Sequence, residues 1–95
     1  MEVNDGTTRG CQGIKSDVQV VINGGTVNVR NAWEGIESTY VQINAGNVII
    51  NAVDDGINAT NNSNTVSVLI EVNGGTVTVY GQIITEITQT GPGGF

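Results

Sequence analysis

The sequence predicts an all-β protein, a right-handed parallel β-helix (solenoid) of about three full rungs with ~21 residues per rung. Two signatures recur at that spacing. One is Gly13-Ile14, Gly35-Ile36 and Gly56-Ile57. The other is a β-branched residue, Asn, then Gly or Ala and Gly: Ile22-Asn23-Gly24-Gly25, Ile43-Asn44-Ala45-Gly46 and Val72-Asn73-Gly74-Gly75. Composition agrees, because Gly, Asn, Thr, Val and Ile dominate while only 13% of residues are charged and 4% aromatic, the palette of strands and turns. Almost no helix is expected.

Residues 1–12 contain Val3-Asn4-Asp5-Gly6-Thr7 and read as a partial N-terminal rung. Residues 13–81 form the three-rung body. Its first rung carries three short runs of period two, Ile14 and Ser16, Val20 and Ile22, then Val27 and Val29, separated by turn residues. The second has Ile36 and Ser38, Val41 and Ile43, Val48 and Ile50 in the same places, and the third has Ile57 and Ala59, Ile70 and Val72, Val77 and Val79. A polar insertion at residues 60–67 interrupts the third rung and predicts a surface loop. Residues 82–95 read as a partial rung and a flexible tail. Three runs per repeat predict three strands and hence three sheets. An antiparallel arrangement would also use the Asn-Gly pairs as hairpin turns, but it leaves the long period unexplained.

Stacked copies of the runs give columns of small or aliphatic residues, the expected core. Asn23, Asn44 and Asn73 form a column of their own, suited to a structural ladder in which each amide bonds its neighbour at a strand spacing of roughly 4.8 Å. Gly25, Gly46 and Gly75 mark a corner where a positive φ is expected.

The net charge of −6 with no histidine argues against nucleic acid as a partner, since phosphate binding needs clustered Lys and Arg. Cys11 is the one cysteine, which excludes an intrachain disulfide and disfavours zinc or an iron–sulfur cluster. No apolar run is long enough to span a membrane, so no membrane partner is expected, and residues 1–12 do not resemble a signal peptide.

The segments GIKSDVQVVINGGTVNV and DDGINA resemble secreted bacterial carbohydrate-binding domains built as right-handed parallel β-helices and similar to polysaccharide lyases. That resemblance, over roughly residues 10–80, implies calcium dependence, plant cell-wall polysaccharide (cellulose or pectin type) as partner, and a secreted or cell-surface location. The first repeat departs from the family pattern, with Cys11-Gln12 where later repeats are acidic.

Glu34 and Asp55 share the column before Gly-Ile, Glu37 and Asn58 share the column two after that Gly, and Asp54 lies beside them. Carboxylates converging at one corner repel unless a cation intervenes, and calcium suits oxygen ligands of this kind. These five are the expected metal residues. Two other readings stay open: solvated turn acids, or neutralisation by Lys15 and Arg30. For sugar binding, the aromatic candidates are Trp33, Tyr40 and Tyr80. Trp33 either offers an exposed ring or folds over the open end of the core. The acidic corner engages a uronate only through a bridging cation, whereas neutral glucan binding is expected to rest on Trp33 or Tyr80 and to survive chelation.

No catalytic residue is assigned. A calcium-dependent lyase needs a Lys or Arg base; Lys15 stands in the column of Glu37 and Asn58, and a salt bridge is the simpler use for it. The competing class is structural: open strand edges make an end-to-end homo-oligomer a possible assembly.

Overall fold

The computed structural model describes residues 1–4, 6–8 and 10–86, and of 82–86 the backbone alone. Among the described residues nine strands follow one another: β1 (Glu2–Asn4), β2 (Gln12–Lys15), β3 (Gln19–Ile22), β4 (Thr26–Ala32), β5 (Glu34–Ser38), β6 (Tyr40–Ile43), β7 (Asn47–Thr60), β8 (Leu69–Val72) and β9 (Thr76–Glu86). Every pairing is parallel. Among the described residues there is no helix.

The strands lie in two sheets. A six-stranded sheet runs β1-β4-β7-β5-β2 with β9 also on β7, and a three-stranded sheet runs β3-β6-β8. This corrects the expected right-handed β-helix of three rungs and three sheets: the larger sheet is nearly closed and barrel-like, and among the described residues one small sheet stands apart from it. The long strand β7 is the cause. It pairs with β4 from Asn47 to Ala52 and with β5 from Ile57 to Ala59, so one strand joins two regions expected to be separate.

The glycines explain why the chain breaks at one kind of corner and not at the other. Gly25, Gly46 and Gly75 take φ of 78°, 102° and 85°, a left-handed conformation that ends β-structure between the small sheet and the large one. Gly35 and Gly56 have no positive φ, and β7 runs through Gly56 with register shifts instead of a turn. At Gly35 the lack of a side chain serves packing: a Cβ there would stand 2.5 Å from the Gly56 carbonyl oxygen and collide with Ile50 Cγ2.

The apolar columns pair in register. Ile14 lies beside Ile36 and Ile36 beside Ile57; Val20, Val41 and Ile70 follow the same pattern, as do Ile22, Ile43 and Val72, and Val29, Ile50 and Val79. The middle copies Ile36, Val41, Ile43, Val48 and Ile50 are all fully buried because neighbours cover them on both sides. Outer copies are less so, and Val72 on the edge strand β8 is 51% exposed, at odds with its expected place in the core.

Candidate functional site

Backbone bonds build the acidic corner before any side chain acts. Trp33 N and Glu34 N both donate to Cys11 O, at 2.8 and 3.2 Å, and Asp54 N donates to Trp33 O at 3.0 Å. Asp54 is thereby placed beside Trp33, which sets the next residue, Asp55, beside Glu34. Along the same strands Glu37 pairs with Asn58. Ligand atoms of Glu34, Asp54 and Asp55 lie within 4.8 Å of one another. At an effective dielectric of about 20, two unit charges at that separation repel by roughly 3 kcal/mol, less where water reaches the exposed Asp54.

Asn58 and Glu37 extend the group inward. The Asn58 amide donates to Glu34 Oε2 at 2.6 Å, and Asn58 is 4% exposed. Its Oδ1 and the Oε1 of Glu37, itself 9% exposed, are buried with no hydrogen-bond partner. Buried polar oxygens left unpartnered are costly, so this pair calls for a ligand or a proton. Burial pushes the Glu37 carboxyl above the ordinary carboxylate range, and the Glu34 charge and a hydrogen bond with Glu34 push the same way. A hydrogen bond from Asn62 and the charge of Lys15 oppose the rise.

The described cations are engaged outside the corner. Lys15 Nζ stands 3.2 Å from Asp17 Oδ1, and Arg30 Nη1 stands 3.6 Å from Glu2 Oε1. The corner's charge is thus not neutralised by an ion pair with either, although Lys15 lies next to Glu37 in the β2/β5 register.

A model of the family described as "carbohydrate-binding domain-containing protein" matches residues 4–85. The chain belongs to this family. No curated protein and no solved structure matches it. A carbohydrate-binding role is the function the family membership supports, and it directs attention to the aromatic residues of this carbohydrate-binding domain.

The three aromatic candidates are dispersed. Trp33 is half-buried between β4 and β5, beside the acidic corner. Tyr80 is 63% exposed on β9, opposite Asn51. Tyr40 is on the small sheet, half-buried, where its hydroxyl donates to Glu71 Oε1 at 2.8 Å and accepts from Gln42 Nε2 at 2.7 Å. Gln42 Nε2 and Asn73 Nδ2 also donate to Glu71 Oε1, at 2.7 and 3.3 Å. These donors, Gln42 first, hold the Glu71 carboxyl below its ordinary range, while the bond to Glu71 raises the Tyr40 hydroxyl. The asparagine column adjoins this network: Asn44 Nδ2 donates to Asn23 Oδ1 at 2.8 Å and Asn73 Nδ2 donates to Asn44 Oδ1 at 2.7 Å.

Sequence reasoning did not foresee a pocket of about 370 Å³ beside Tyr40, lined also by Gln19, Thr65, Val66, Ser67 and Leu69. Its signal was present in two pieces. Gln19, Tyr40 and Leu69 occupy one column, and the polar insertion of the third repeat ends just before Leu69.

Proposed function

We propose that the chain is a non-catalytic binding module for plant cell-wall polysaccharide of the pectin or cellulose type, in which calcium at the acidic corner stabilises the fold and bridges to uronate carboxylates. The observation that carries the calcium reading is the pair of buried, unpartnered oxygens, Asn58 Oδ1 and Glu37 Oε1, beside the carboxylates of Glu34, Asp54 and Asp55. These are hard oxygen donors of the type calcium takes six to eight of, so the residues present fit the ion. Calcium there would supply positive charge that offsets the mutual repulsion of the acids, and with open positions it would accept a carboxylate of the polymer. Without it, a domain of net charge −6 repels a polyuronate. The Lys15–Asp17 pair supports a non-catalytic reading, since the one lysine is engaged by an acid. A polysaccharide partner of this kind also implies a secreted or cell-surface location.

Thermal unfolding with calcium and with chelator, together with polygalacturonate pull-downs, tests the proposal. Calcium at a hundredfold excess over its dissociation constant should add roughly 2.7 kcal/mol of stability. Polygalacturonate binding should vanish with chelator and in Asp55→Asn. Binding that resists chelator would refute the cation bridge. The second reading, an end-to-end assembly module, draws on the exposed Leu69 and Val72 of edge strand β8. Concentration-dependent association on sizing, with no polysaccharide bound, would favour it.

A further inference from the structure

The outer face of the small sheet holds a second arrangement suited to sugar, remote in chemistry from the acidic corner. Gln19, Tyr40 and Leu69 are register partners on β3, β6 and β8 and stand side by side across the sheet. The connection between β7 and β8 supplies Thr65, Val66 and Ser67 as one side of an open pocket of about 370 Å³. Buried Thr39 fixes the base of that connection: its Oγ1 donates to Asp17 O at 2.8 Å and accepts from Asn62 N at 3.0 Å. Further along, Ser63 Oγ and Thr65 Oγ1 lie 2.8 Å apart, and Thr65 N donates to Ser63 Oγ. On the opposite side, the bonds of the Tyr40 hydroxyl to Glu71 and Gln42 restrain the ring. The tyrosine side of the pocket and the start of the connection at Asn62 are therefore held in place before any ligand arrives.

The lining combines apolar surface from Leu69, Val66 and the tyrosine ring with hydroxyls and an amide from Thr65, Ser67 and Gln19. A pyranose presents the same combination, C–H faces with equatorial hydroxyls around them, and the volume lies at the small end of the range for small-molecule sites. Among the described residues none that lines the pocket is cationic, and the ionised Glu71 stands beside Tyr40, so an acidic sugar is disfavoured. We propose that this pocket is a calcium-independent subsite for a neutral pyranosyl unit of a glycan chain, centred on Tyr40 and distinct from the acidic corner. The proposal rests on the carbohydrate-binding reading of the domain and moves the neutral-sugar contact from Trp33 or Tyr80 to Tyr40.

Calorimetric titration of the whole chain with cellohexaose and with mannohexaose, in chelator, tests it, using Tyr40→Ala and Leu69→Glu with thermal unfolding as the check on folding. The parent should bind at least one of these neutral oligosaccharides, and each variant should lose about tenfold or more in affinity, near 1.4 kcal/mol, the scale of a lost aromatic contact or a charge placed in the pocket. Polygalacturonate binding in calcium should be unchanged in both. Should Tyr40→Ala fail to fold, Leu69→Glu, at a 43% exposed position, carries the test alone. Neutral-sugar binding that persists in the folded variants overturns the assignment, as does a parent that binds polygalacturonate but neither neutral oligosaccharide. A folded, calcium-loaded parent that binds no glycan of either class overturns this proposal and the carbohydrate-binding reading together.

Discussion

Replacing Ile43 by alanine probes the packing at its most enclosed point. Ile43 is 0% exposed and lies in register between Ile22 on β3 and Val72 on β8. The substitution removes about three methylene equivalents, worth roughly 2.4 kcal/mol of transfer free energy at about 0.8 kcal/mol each. A cavity term adds to this, because strands pinned on both sides cannot close over the gap, and the total should reach about 3–4 kcal/mol, inside the range for buried Ile→Ala changes. For a domain of this length the whole stability is on the order of 5–14 kcal/mol. A fall in melting temperature of about 15–25 °C follows, measured by circular dichroism and converted through urea unfolding at constant m-value. Val21→Ala is the control: it lies next to Ile22 but faces outward at 40% exposure, and it should cost no more than about 0.5 kcal/mol. If Ile43→Ala lost under about 1 kcal/mol, or if both variants lost the same, the assignment of inward and outward faces on the small sheet would be wrong.

Two further outcomes follow from the larger sheet. Gly35→Ala should destabilise by about 3 kcal/mol or more, because the added methyl meets the backbone oxygen of Gly56 and the buried Ile50, neither of which can yield cheaply; a melting curve matching the parent's would show that the strands separate to admit it. Glu37 makes metal-free stability pH-dependent with a definite sign. Its carboxyl titrates higher folded than unfolded, so the native state binds the proton more tightly, and this contribution is complete below the ordinary value of 4.5 and lost as pH rises through the raised one. Glu37→Gln in chelator should flatten that part of the profile and be at least as stable as the parent at neutral pH, while gaining less from calcium. A neutral-pH loss of stability in chelator would contradict the repulsion argument.

Much of the local arrangement follows from the order of residues alone. Side chains alternate faces with period two, and stacked parallel strands bring like to like, so the repeats of Val and Ile set which residues point inward and that Ile14, Ile36 and Ile57 lie side by side. The same column arithmetic places Glu34 near Asp55 and Glu37 next to Asn58, because a repeat offset fixes strand neighbours without reference to the rest of the fold.

The number of sheets was not legible, since Gly25 and Gly35 are the same letter with opposite uses. The first turns the chain through a positive φ; the second keeps an extended path and makes room for Ile50 and the Gly56 carbonyl, so strands expected to part are joined through β7 into one nearly closed sheet. Only three-dimensional neighbours decide between these uses of glycine. The same holds for polar groups. Lys15 bonds Asp17, Tyr40 bonds Glu71, and Asn58 Oδ1 and Glu37 Oε1 are sealed without partners. Sequence determined that acids would gather at a corner and that a polar insertion would follow β7; tertiary structure decided which oxygens water could reach, and that the insertion would wall a pocket beside Tyr40. Alternation and repeat spacing act along the chain, whereas desolvation and side-chain pairing depend on groups brought together from distant parts of it.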